Sequence, residues 1–263
     1  MDLGLKGKVA IITGGSDGVG KAAAMAMARE GAKVALAARR VSLLNEAVAE
    51  ITDHTGGEVI GISTDVGDEA SVERLINEVV AKWGGIDILV NNAGTSSAVR
   101  LEEMSNERVA QDLQVKVYGA IYCMRHALAH LRRSGSGAVI NITTPGGKAS
   151  PGGSQPTSLS RAAGISLTKA WSKELACDNI RVNTICLGLL KSGQHRSRWE
   201  ALHAENPQYS LDDHWEAVGK DVPLGRVGEA SEAGDVVAFL CSARASYVSG
   251  ASINVDGASA PVV

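Results

Sequence analysis

The chain has 263 residues, 44% of them hydrophobic and only 3% aromatic, with 30 glycines and a net charge of −3. That is apolar mass for one large α/β domain or two small ones, and the charge gives no basis for a nucleic-acid or anionic-membrane partner. Cys123, Cys177, Cys186 and Cys241 lie far apart with no CxxC pair, which argues against a disulfide framework or metal site and suits a reduced, cytoplasmic setting.

Met1–Gly7 carries Asp2 and Lys6 and no apolar run, so it does not read as a secretory signal. From there, apolar runs alternate with helical patterns. A strand is predicted at Lys8–Ile12, then a helix at Val19–Arg29, rich in Ala and Met. A strand at Lys33–Ala38 and a helix at Leu43–His54 follow, then a strand at Glu58–Ser63, a helix at Glu69–Trp83 and a strand at Ile86–Val90. One long helix spans Asn106 to Arg132. Next come a strand at Ala138–Ile142, a helix at Ser160–Cys177 and a strand at Arg181–Ile185, and the chain closes with a helix at Ser231–Cys241 and a strand at Ser252–Val255.

This βαβα rhythm predicts an α/β fold: a doubly wound, Rossmann-like parallel sheet with right-handed crossovers, in a single domain. Leu189–Val222 breaks the rhythm. It collects His195, Trp199, His203, His214 and Trp215 among polar residues. A long insertion after a strand's carboxyl end reads as a substrate lid, at about 189–222, with a plain surface excursion as the alternative. No stretch approaches the roughly 20 apolar residues of a spanning helix.

The turn after the first strand is Thr13-Gly14-Gly15-Ser16-Asp17-Gly18-Val19-Gly20. Glycines there let the backbone turn tightly and approach a diphosphate, and the helix that follows offers unpaired N–H groups. Dinucleotide binding is the expectation for Gly14, Ser16, Asp17, Gly18, Val19 and Gly20. An acidic residue ending the second strand would select NAD through the ribose 2′-hydroxyl. Ala38 stands there instead, followed by Arg39 and Arg40, and guanidinium groups suit the 2′-phosphate of NADP. Asp17, with its carboxylate near that phosphate, argues mildly the other way.

These residues, taken with others further along, resemble the short-chain dehydrogenase/reductase family (its FabG-like branch) over essentially the whole chain. Thr13-Gly14-x-x-x-Gly18-x-Gly20 resembles its cofactor turn. Asp65-Val66 is similar to the pair that contacts adenine, and Asn91-Asn92-Ala93-Gly94 to the signature that lines the cofactor. Arg181-Val182-Asn183, Pro223-Leu224-Gly225-Arg226 and Val255-Asp256-Gly257 resemble later segments. Gly188 and Ser192 fall where the family holds the nicotinamide end. The resemblance implies oxidation or reduction of an alcohol/carbonyl pair with NADP, NAD being less favoured, in a homotetramer or homodimer built on the two long helices.

The catalytic positions depart from the family. No tyrosine is followed four residues later by lysine: the residues four beyond Tyr118, Tyr122, Tyr209 and Tyr247 are Tyr122, His126, Asp213 and Ala251. Thr144 falls at the family's serine, Thr157 at its tyrosine, Arg161 at its lysine and Lys116 at its asparagine. A threonine alcohol is not brought into working range by a neighbouring cation alone, and Arg161 stays charged, so it anchors but does not shuttle protons. A lysine desolvated beside Arg161 has a depressed pKa and can act as general acid or base, which makes Lys116 the candidate; a structural cation filling the asparagine's space is the alternative. Tyr118 and Tyr122 are expected to face away from it. His195 and His203 are weaker proton candidates. His126 and His130, i and i+4 on a helix, lack a third metal ligand. Three functions remain open: a reductase or dehydrogenase with an atypical proton relay, a cofactor-binding homologue without catalysis, or a non-redox lyase or dehalogenase on the same scaffold.

Overall fold

Strands form where β-branched and small apolar residues can be buried on both faces of a sheet. The computed structural model describes residues 1–263 apart from the side chain of Gln194. The described residues form seven strands: β1 (Val9–Thr13), β2 (Lys33–Ala38), β3 (Val59–Ser63), β4 (Ile88–Asn91), β5 (Ala138–Thr143), β6 (Arg181–Leu187) and β7 (Ser252–Val255). They make one sheet in the order β3-β2-β1-β4-β5-β6-β7, and every pairing is parallel. The sheet is Rossmann-like, as expected.

Alternation along each strand sends its side chains to two cores. On one face Ala10, Ile12, Val34, Leu36, Val90 and Ile140 pack under α1 (Gly18–Arg29), α2 (Val41–Thr55) and α9 (Ala230–Cys241). On the other, Val9, Ile11, Ala35, Leu89 and Val139 pack under α3 (Glu69–Trp83) and α5 (Gly119–Ser134). α1 and α9 approach closely because Gly234 has no side chain: a Cβ there would lie 2.7 Å from the Ala22 carbonyl carbon.

Three departures from the sequence reading concern the site. The long helix is not one regular α-helix. α4 (Asn106–Leu113) joins α5 through a π turn at Gln114–Tyr118, and such turns are often found at functional sites. The next helix, α6 (Thr157–Glu174), starts three residues before its expected position, so Thr157 opens its first turn. The 189–222 segment, expected as a lid-like insertion with no helix assigned to it, folds as α7 (Gly193–Glu205) and α8 (Leu211–Gly219). α7 escaped notice because its few apolar residues form no stripe. No described helix is long and apolar enough to cross a membrane.

Candidate active site

The chain leaves β1 for β2 on one side, and after β3 it crosses to β4 on the other. Such a reversal opens a crevice at the strands' carboxyl ends, and the glycine turn sits there. Gly14 has a positive φ of 65°, and a Cβ on Gly20 would fall 2.4 Å from the Gly14 carbonyl oxygen. Both positions therefore require glycine. The Asp17 carboxylate accepts from the Gly18 N–H at 2.7 Å and caps α1. The other side of that carboxylate meets α7, since a Cβ on Gly193 would lie 2.0 Å from it. Val19 packs with Leu190 and Ala233.

The Asn91–Gly94 strap is tied to this turn. The backbone N–H groups of Asn92 and Ala93 donate to Thr13 Oγ1 at 3.0 and 3.1 Å. The Asn92 side chain donates to the carbonyls of Thr13 and Gly14 at 2.9 and 3.1 Å. Arg39 and Arg40 are exposed just beyond β2, and neither forms an ion pair among the described residues. Asp65 Oδ1 accepts from the Gly67 N–H at 2.9 Å, and Val66 is buried beside it. Gly188 packs against Asp256, and its N–H donates to the Val255 carbonyl at 3.0 Å. Ser192 precedes α7, close to Gly18.

Lys116, Thr157 and Arg161 come together at the other end of the strap. Gly94, at φ 146°, passes directly over them: a Cβ there would lie 3.0 Å from Lys116 Cγ and 3.4 Å from an Arg161 guanidinium nitrogen. Thr157 and Arg161 share a face of α6 one turn apart. The Lys116 side chain, in the π turn, is only 3% exposed. Its Nζ is 3.5 Å from Thr157 Oγ1, which also accepts from the Ser97 N–H at 2.8 Å. A hydroxyl receiving two donors turns its own proton to a third partner. Arg161 donates to the Ile142 carbonyl at 2.7 Å, and burial lowers its pKa while leaving it a cation. Burial, then the charge of Arg161, lowers Lys116 to about 8 against the opposing pull of Asp112. Thr144 directly follows β5, half-buried, and its hydroxyl makes no hydrogen bond to another described residue.

Asp112 and Ser160 escaped the sequence reading. Asp112 lies four residues before Lys116 and accepts from its Nζ, while its second oxygen accepts from Ser160 Oγ at 2.6 Å. The i, i+4 acid–base spacing was the available signal. His203 Nδ1 and Trp199 Nε1 both meet the Tyr209 carbonyl at 3.0 Å, and the two rings stack. The His195 ring lies tilted beside those of His214 and Trp215, centroids 6.3 and 6.1 Å away, and burial followed by the charges of Arg198 and His214 lowers its pKa. Tyr118 and Tyr122 face away as expected: Tyr118 is 48% exposed, and Tyr122 packs on the α3–α5 core. His126 meets Glu69 and His130 meets Arg133, and no metal-ligand cluster occurs among the described residues.

A family model described as enoyl-(acyl carrier protein) reductase matches residues 14–258. A meso-2,3-butanediol dehydrogenase of Serratia marcescens is 33% identical, covering 95% of this chain and 93% of its own. An L-sorbose reductase of Gluconobacter frateurii, solved with NADPH and L-sorbose, superposes with a TM-score of 0.95 at 32% identity, covering 100% of both chains. A short-chain oxidoreductase of Pseudomonas aeruginosa PAO1, described as containing an atypical catalytic center, has a TM-score of 0.93 at 30% identity, covering 99% of this chain and 100% of its own. The chain belongs to the short-chain dehydrogenase/reductase family. It is an oxidoreductase of that family, and neither the non-catalytic nor the non-redox alternative is favoured.

Proposed function

We propose that this protein interconverts a carbonyl and an alcohol with NADP(H), moving the proton through Lys116 and Thr157 in place of the family's tyrosine. The chain's residues fit the nucleotide. The Gly14–Gly20 turn leaves a cradle that Cβ atoms would fill, and Arg39 and Arg40 stand without an ion-pair partner among the described residues at the end of β2, where a 2′-phosphate would lie. The L-sorbose reductase of G. frateurii was solved with NADPH, which supports the same choice. Gly14, Ser16, Gly18, Val19 and Gly20 would hold the diphosphate. Asp65 and Val66 would meet the adenine, and Asn92, Ala93, Gly94, Gly188 and Ser192 the nicotinamide half. Asp17 would act through its cap on α1. The bound nucleotide supplies or accepts the hydride.

The observation that carries the reading is the double donation to Thr157 Oγ1, from Lys116 Nζ and the Ser97 N–H. In reduction, Thr157 passes its proton to the substrate oxygen as Lys116 passes one to Thr157. Lys116 becomes neutral and no free threonine alkoxide forms. Arg161 anchors the nicotinamide ribose, and Thr144 holds the substrate oxygen from the opposite side. The 189–222 segment closes over the substrate. Screening starts with sugars and vicinal diols, which the names of two similar proteins suggest. We also infer a homodimer or homotetramer along α5 and α6, where Tyr118 and Leu159 are half exposed. The unpaired cysteines suit the cytoplasm.

The test follows NADPH consumption across that panel. Lys116→Met should lower turnover by roughly 10²–10⁴ while fluorescence titration still registers NADPH binding. Reduction needs charged Lys116, so its rate should fall as pH rises through about 8, and alcohol oxidation should rise through the same value. Undiminished turnover in Lys116→Met rules the relay out.

A further inference from the structure

We propose that Asp112 is the positioning residue of this relay: its buried carboxylate, gripped by Lys116 and Ser160, holds the lysine ammonium against Thr157. The inference rests on the reading of Lys116 as proton carrier. It starts from a carboxylate in an unfavourable place. The Asp112 side chain is 1% exposed, and burying an ionised carboxylate is costly unless it is paired and its remaining lone pairs are satisfied.

Both conditions are met, by residues of the relay. One Asp112 oxygen takes Lys116 Nζ and the other takes Ser160 Oγ at 2.6 Å. Ser160 also lies 2.9 Å from the carbonyl of Thr157, the residue whose hydroxyl faces Lys116. Asp112, Lys116, Thr157 and Ser160 therefore form a loop of contacts, completed through the Thr157 backbone carbonyl, that joins α4 and the π turn to the first turn of α6. One Asp112 oxygen holds Lys116 and the other, through Ser160, holds the first turn of α6, and Lys116 Nζ stands 3.5 Å from Thr157 Oγ1. Stability alone is a poor explanation, since a buried ion pair is often no better than apolar residues of the same volume.

The charges facing Lys116 are Asp112 on α4, one turn before it, and Arg161 on α6. They oppose each other: Arg161 and burial favour the neutral amine, and Asp112 favours the ammonium. Asp112 does not touch the crevice, so its loss should act through Lys116 and leave substrate affinity alone.

Asp112→Asn retains the shape and removes the charge. Lys116 should then titrate about 1–3 units lower, and the alkaline limb of the reduction profile should move down with it. The loss should appear in kcat, with KM nearly unchanged. Ser160→Ala removes only the second grip and should shift both readouts the same way by less. If Asp112→Asn does not fold by circular dichroism, Ser160→Ala decides the matter alone. Side-chain NMR of ¹³C-lysine-labelled protein, assigned with Lys116→Met, follows the titration without any turnover. A folded variant with an unmoved Lys116 titration and pH profile, or a loss confined to KM, overturns the proposal. Absence of turnover in the native protein overturns the relay reading itself, whereas an Asp112-insensitive Lys116 titration overturns only the role of Asp112.

Discussion

At the residue scale, the cofactor end and the catalytic end of the crevice obey different physics. Arg39 and Arg40 are exposed cations without partners among the described residues, so their effect depends on a phosphate arriving. The Arg39→Ala/Arg40→Ala double variant should weaken NADPH binding roughly ten- to a hundred-fold and leave NADH binding nearly unchanged, as fluorescence titration of the two nucleotides would register. Equal losses for both would remove the 2′-phosphate assignment. The arginines were legible because their position after β2 follows from strand length alone. Lys116 is governed instead by burial and by two opposed charges. Its candidacy was legible from the residue type at that position. Its partner Asp112 was not recognised, because a carboxylate on a polar helix reads as solvated until packing buries it.

At the element scale, the decisive features are where helices begin and how closely they approach. The start of α6 at Thr157 puts that residue one turn from Arg161, and the π turn seats Lys116 in the buried face between α4 and α5. Neither was visible in hydrophobic periodicity, which locates a helix but not its first residue or an irregular turn. The α1–α9 contact gives a direct test. Gly234→Ala would gain up to about 1 kcal/mol of helix propensity, but its Cβ would lie 2.7 and 2.8 Å from the Ala22 carbonyl carbon and oxygen. Backbone cannot yield as a side-chain tip can, so overpacking should win and the variant should lose about 1–3 kcal/mol in chemical denaturation. NADPH affinity should fall with it, because α1 carries the phosphate turn. A Gly234→Ala protein as stable as the parent would mean the helices are less tightly apposed.

At the scale of the whole molecule, the parallel sheet joins two cores, and the reversal beside β1 opens the crevice between them. The glycine turn, the Asn91–Gly94 strap and the start of α7 all border this crevice, so a nucleotide bound there ties several elements together. NADPH at 100 times its dissociation constant should therefore stabilise the fold by about 2.7 kcal/mol, visible as a raised Tm. NADH at the same concentration should do less if Arg39 and Arg40 select the phosphate. No rise with either nucleotide would contradict cofactor binding at this site.

The sequence by itself determined the class of fold and the place of the phosphate turn. Both are written in short-range patterns: alternating apolar runs, and glycines at fixed offsets between a strand and a helix. Only the tertiary structure decided which polar side chains meet beneath the Asn91–Gly94 strap. Lys116 meets Thr157 across 41 residues, and Asp112 meets Ser160 across 48. Those contacts arise from packing the π turn against α6, and no local pattern encodes which polar side chains that packing will bury together.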